Sequence, residues 1–218
     1  MSAEPAIPAA PASGSAGCKP LRADARRNRA KIVDAAKGAF AELGLDAQMD
    51  DVAKRAGVGV GTLYRHFPTK DALVRALIES KMEKMAERGR QALAGDDHES
   101  AWDRFATYCR ACAYDQVSDL GLAQVISTQP STSFAEAATA AGLREIVDDL
   151  LAPAQAAGIV RADARMDDIP LIMCGMGAVL QSFGEEFARR YFELALDGLR
   201  NTDAPALPAA PTLPGAPA

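Results

Sequence analysis

The sequence predicts an all-α protein of about nine helices, because apolar residues recur at i, i+3, i+4 and i+7 in segment after segment. No stretch alternates apolar and polar residues convincingly, as a half-buried strand would. Gly44, Gly57, Pro68 and Gly158 punctuate the periodic segments, and the connections between them are short, as helical domains prefer.

Taken in order, residues 1–20 are Pro, Ala, Ser and Gly with almost no large apolar side chains. Such a segment cannot bury enough surface to offset the entropy of ordering it, so a disordered tail is expected, and the same composition predicts another at 203–218. The stretch from Leu21 to Arg29 is basic, with Arg22, Arg26, Arg27 and Arg29. It reads as an arm or helix start that contacts phosphate, Arg26 and Arg27 being the candidates, or as a solvated helix entry. The first helix is expected over Asn28–Leu43, with Ile32, Ala35, Ala36, Ala39, Phe40 and Leu43 on its apolar stripe. Gly44 ends it.

Gln48 to Lys70 reads QMDDVAKRAGVGVGTLYRHFPTK. Val52, Ala53 and Ala56 form the expected inner face of one short helix, and Gly57 can close it with positive φ. Val60, Leu63 and Phe67 are expected to form the buried stripe of a second. Thr62, Tyr64, Arg65 and His66 then lie on its other face. Pro68 stops that helix, and Thr69 can cap the next, which starts at Lys70. This is a helix-turn-helix, whose second helix enters the DNA major groove. Arg65 is the best base reader, because its fork can take guanine O6 and N7 together; a phosphate contact is the equal alternative. Val60 and Gly61 can meet a thymine methyl or allow close backbone approach. The first helix of the pair opens on Asp50-Asp51, which suits the helix dipole but repels phosphate, leaving Gln48 as the only donor there. Lys54 and Arg55 lie further along, within reach of the DNA backbone.

Within this stretch, AGVGVGTLYRHFPTKDAL resembles the signature of the TetR family of transcriptional regulators, and the resemblance covers roughly Arg26 to Leu77. It implies that Thr62, Tyr64, His66 and Lys70 mainly grip phosphates. It also implies a ligand pocket in the rest of the chain, and a four-helix bundle between two copies.

The charge distribution agrees with a DNA reader. Between Lys19 and Lys70 eleven Lys and Arg face six Asp and Glu, a net of +5, whereas the whole chain is −5. A basic head, 21–70, therefore precedes an acidic helical body, 71–202. The fourth helix carries Leu73, Val74, Leu77, Ile78, Met82 and Met85 and is expected to reach about Ala94. Gly95-Asp96-Asp97 closes it.

Further stripes follow: Trp102, Phe105, Ala106, Cys109, Cys112 and Ala113; a short apolar candidate at Leu120–Ile126; and Leu143, Ile146, Val147, Leu150, Leu151 and Ala154. Asp167 can cap a helix that tolerates Pro170 in its first turn and is apolar nearly all round from Ile169 to Leu180. The last helix, Glu185–Leu199, has Phe187, Tyr191, Leu194, Ala195 and Gly198 spaced for burial. The implied pocket, for a small and largely apolar effector, is assigned to Trp102, Phe105, Tyr108, Cys109, Phe134, Met173 and Met176. Ile172, Gly177, Leu180, Phe187, Tyr191 and Leu194 are assigned to the interface of a homodimer, which two operator half-sites require.

No Ser-His-Asp set, phosphate loop, carboxylate pair or zinc set is recognisable, and the lone His98 reads as exposed, so no catalytic residue, metal or cofactor is expected. No secretory signal is recognisable and no apolar run reaches the roughly 20 residues that span a bilayer, so a cytoplasmic protein is expected. The function expected is a DNA-binding transcriptional regulator: a ligand-released homodimeric repressor on a palindromic operator. Two alternatives stay open. One is a redox-sensing regulator using Cys109 and Cys112; the other is a small-molecule-binding helical protein or enzyme whose head has lost DNA affinity.

Overall fold

Helix α1 runs from Cys18 to Leu43, so the basic stretch expected as an arm or helix start is itself helical. A computed structural model describes residues 18–95, 100–117, 123–125, 128–200 and 202–208, and everything below concerns those residues. The expected tail at 1–17, the Asp96-Asp97 turn, His98 and most of Leu120–Ile126 lie outside them; residues 123–125 are helical. The described residues form nine α-helices and one 3-10 turn, with no strand.

In the head, Ile32, Ala36, Ala39 and Phe40 of α1 are buried to 1% exposure or less, because they repeat on one side of the helix. Leu43, expected on that stripe, is 44% exposed: Gly44 turns the chain at φ +56 and the 3-10 turn Gly44–Asp46 leaves the core behind it. Helix α2 (Met49–Ala56) buries Met49, Val52 and Ala53; α3 (Val60–His66) buries Leu63, and Phe67 follows it into the core. Val60, expected on the α3 stripe, is 42% exposed. It is the first residue of the helix, one turn before Leu63 enters the core.

Helix α4 (Lys70–Leu93) spans about 36 Å at 1.5 Å per residue and belongs to both halves. Its first half packs Leu73, Val74 and Leu77 into the head. Further along it packs on α6 (Ser131–Ala140) and α7 (Leu143–Ala156). Gly89 is required there, since a Cβ on it would lie 2.2 Å from the Ile146 Cγ2. Helix α5 (Ala101–Val117) lies between α7 and the last pair, α8 (Asp168–Phe183) and α9 (Glu185–Gly198). All six residues of the expected α7 stripe are buried. Helix α6 has no counterpart in the sequence reading: STSFAEAATA is small and polar, without an apolar stripe of its own.

The two final helices each bury one face within the chain. Helix α8 buries Ile169, Met176 and Leu180 and leaves Leu171 50% exposed, so a single chain does not bury it on every side. Asp167 does not cap it with its side chain, which instead pairs with Arg144 at 2.8 Å. Helix α9 buries Ala188, Phe192 and Leu196, whereas Phe187 and Leu194, spaced for burial, are 60% and 61% exposed. Both sets have helical spacing; only the position of α5 decides which faces inward. Residues 203–208, expected within a disordered tail, are hydrogen-bonded to the body through Arg161 and Asp163, while 209–218 lie outside the described residues. No described helix is long and apolar enough to cross a membrane.

Candidate nucleic-acid interface

The geometry of the α2–α3 unit is fixed by backbone hydrogen bonds at its corners. The Asp51 carboxylate accepts the Gln48 N–H at 3.0 Å, the return half of a capping box, so one of the two acids that open α2 is used to hold its start. At the other end Gly57 takes φ +66, its N–H donates to the Lys54 carbonyl, and the Val58 N–H donates to the Ala53 carbonyl. That is a Schellman close, which a residue with a Cβ would strain. The chain then re-enters helix at Val60. The Thr69 hydroxyl accepts the Ala72 N–H at 3.1 Å and starts α4, as its position predicts.

One face of α3 is left open. Val60, Gly61, Tyr64 and Arg65 are exposed, and Thr62 and His66 are partly so. Nothing lies within 4 Å of a Cβ placed on Gly61. Among the described residues Lys54, Tyr64 and Arg65 make no side-chain hydrogen bond or ion pair, and Arg26 is likewise free on α1. The other basic candidates are engaged within the chain. Arg55 lies across Gly38 to reach the Glu42 carboxylate at 2.8 Å. Lys70 donates its Nζ to the Leu45 carbonyl at 2.7 Å and sits over the Phe40 ring, tying α4 to the turn before α2. Arg29 covers the Phe67 ring and pairs with Glu79, and Arg27 pairs with Asp24. Gln48 donates its amide to the Asp46 carbonyl. The roles of Arg55, Lys70 and Arg29 were invisible in the sequence, because their partners lie in another turn or helix.

In the body, the residues assigned to a pocket are gathered but closely packed. Trp102, Phe105, Tyr108, Cys109 and Met176 are buried in the common core, with Phe134 and Met173 against it. Two cavities lie elsewhere. A groove of about 660 Å³ runs between α1, α4 and α6 over Val33, Ala76 and Ala137. A smaller one of about 370 Å³ lies between α7 and the loop before α8, beside Arg144, Asp148 and Asp167.

The Tyr108 hydroxyl is buried beside the Cys112 thiol without a hydrogen bond of normal geometry. A buried hydroxyl with no partner costs its lost hydration. Tyr108→Phe is therefore expected to raise the urea midpoint by up to about 1 kcal/mol of stability; a lowered midpoint would show that the hydroxyl has a partner after all. Burial also pushes the Cys112 thiol up to about 11 and Cys109 higher still, so neither is a thiolate at neutral pH. Their burial in the core does not favour a redox role for this pair.

The residues assigned to a dimer interface divide into two sets. Leu180 is buried inside the chain, Ile172 is partly buried against the core, and a Cβ on Gly177 would lie 2.7 Å from the Gln116 amide. The Tyr191 hydroxyl lies over Gly175, between α8 and α9. Phe187 and Leu194 face outward. Leu171 and Phe183, 50% and 68% exposed, also face outward from these two helices; the sequence reading placed neither in the interface.

Residues 32–77 match the family model described as bacterial regulatory proteins of the tetR family, and residues 100–201 match that of the SbtR-like transcriptional regulator C-terminal domain. The chain is similar to the HTH-type transcriptional regulator UidR of Escherichia coli, 34% identical over 76 residues, which are 34% of this chain and 39% of UidR. The chain thus spans well under half the length of that curated relative. The crystal structure of a TetR regulatory protein from Mycobacterium vanbaalenii is 36% identical over 83% of this chain and 99% of that one, with a TM-score of 0.58. The Bacillus subtilis regulator FadR, solved with stearoyl-CoA, shares the fold at 20% identity over 79% of this chain and 97% of its own, with a TM-score of 0.61.

Proposed function

The chain belongs to the TetR family of DNA-binding transcriptional regulators, and from that premise we propose that it is a homodimeric repressor released from a palindromic operator by a small, largely apolar effector. The observation that carries the DNA-reading part is the open face of α3. Arg65 and Tyr64 are unpaired there while Arg55, Lys70 and Arg29 have partners within the head, Arg55 and Arg29 at its surface. Arg65 is then the base reader. Thr62, His66, Lys54 and Arg26 supply phosphate contacts that set register. Lys70 keeps further N–H donors beyond the one given to Leu45.

The dimer reading rests on Leu171, Phe183, Phe187 and Leu194. Four large apolar side chains exposed on two adjacent helices, with the Phe183 and Phe187 rings 6.0 Å apart, suit a partner surface. The effector reading rests on Tyr108, a buried polar group without a partner among soft apolar side chains, which suits an orienting contact. A ligand that opens this core acts on α5. Helix α5 is clamped to α4 by Asp115, which accepts from Arg88 at 3.1 Å and pairs with Lys84 at 2.8 Å. Helix α4 also carries Lys70, so its tilt and the position of the head move together. Release requires tighter effector binding to the DNA-incompetent arrangement. An operator target makes the cytoplasm the site of action.

The test is a titration of the protein on the DNA flanking its own gene at a series of salt concentrations. Two heads with three or four phosphate contacts each predict log Kobs falling with log salt at a slope of about −6. Binding that ignores salt, or that does not exceed binding to random DNA, sinks the reading.

A further inference from the structure

The chain after α9 does not leave the body freely. Arg161, 8% exposed, donates from Nη2 to the Pro205 carbonyl at 2.8 Å and to Asp163 at 2.9 Å. Asp163 in turn accepts the Leu207 N–H at 2.7 Å. The cradle is itself fixed from two sides. The Arg161 N–H donates to the Leu199 carbonyl at the end of α9, and the Gln155 amide of α7 donates to the carbonyls of Arg161 and Ala164. What the cradle reads is backbone: a proline carbonyl, and the N–H two residues later.

The sequence that opens with the seated residues Pro205 to Leu207 has a copy in the same chain. Residues 205–212 read PALPAAPT, and residues 5–12 read PAIPAAPA: six of eight positions are identical, and Ile7 stands where Leu207 stands. Prolines fall on every third position in both, at 5, 8 and 11 and at 205, 208, 211, 214 and 217. That is the three-residue period of a polyproline II helix, whose fixed φ lowers the entropy lost on docking. The two groups that the cradle reads are therefore present in the N-terminal copy, as the Pro5 carbonyl and the Ile7 N–H.

We propose that the Arg161–Asp163 cradle is a docking site for proline-spaced segments and that Pro5–Ala12 exchanges on it with the C-terminal copy. The C-terminal copy is tethered a few residues from α9, so its effective concentration is high and it is the major occupant. The N-terminal copy runs, within a handful of residues, into α1, which carries Arg26 and Arg27. Eleven Cα–Cα steps lead from Ile7 to Cys18, enough to span up to about 36–40 Å fully extended. The exchange thus couples the loop before α8 to the basic start of the reading head.

The full chain carrying a benzophenone amino acid at position 9 tests this, with photo-crosslinks mapped by mass spectrometry. Crosslinks within 155–165, to the same or a second copy, are expected at low yield in the otherwise unaltered chain. Leu207→Pro removes the N–H of the competing copy and leaves the cradle intact, and should raise the yield about threefold or more. Ile7→Pro removes the N–H of the N-terminal copy and should reduce the yield to background. Asp163→Ala should do the same, with its helical content checked by circular dichroism. Absence of crosslinks in the Leu207→Pro chain, or a yield indifferent to Ile7→Pro, overturns the proposal.

Discussion

Replacing Phe187 and Leu194 together by glutamate is expected to leave a folded monomer that has lost operator affinity by at least about a hundredfold. The two side chains are 60% and 61% exposed and contribute nothing to the inner face of α9, where Ala188, Phe192 and Leu196 remain. Leu171 and Phe183 of the adjacent helix are exposed too, and the Phe183 and Phe187 rings are 6.0 Å apart. In a two-fold interface each residue counts twice, and burying a large apolar side chain contributes roughly 1.5–3 kcal/mol. The double substitution removes four such side chains and sets four carboxylates in a dry contact, which costs several kcal/mol more. A monomer holds one recognition helix on one half-site, so most of the specific affinity goes with the partner. Light scattering at micromolar concentration reads the state, and circular dichroism confirms the fold. A dimer that survives both substitutions would place the interface elsewhere. A charge at Gly177 would be a poorer probe, because a side chain there meets Gln116 of the same chain.

Arg65→Ala is expected to cost about 1–3 kcal/mol on the cognate operator and much less on random DNA. Arg65 is the only long forked donor on the open face of α3 that is not already paired. Arg55 is committed to Glu42, and Lys70 is anchored on Leu45. The exposed side chains before it, Val60 and Gly61, offer no donor for a guanine. The loss should concentrate at one base pair of each half-site, where the variant no longer distinguishes bases. Binding across single-base operator variants would show this as one flattened position. A uniform loss at every operator would make Arg65 a phosphate contact, and sequence choice would then fall to Thr62, backbone approach at Gly61, or DNA shape.

Local chemistry determined the helices, the turns and the DNA-reading motif. Gly57 had to take positive φ, Thr69 had to cap α4, and the α7 stripe had to face a core, because each depends on a few neighbouring residues. The family followed from the same short stretch. Periodicity could not decide which face of α8 and α9 turns inward, since both carry two apolar faces and only packing against α5 selects Met176 and Phe192 over Leu171 and Phe187. Nor could it show α6, whose small residues owe their place to α4 and α7. Above all, it counted Arg55, Lys70 and Arg29 as available charges. Their partners are 13, 25 and 50 residues away, and a hydrogen bond across such a separation exists only once the chain has folded.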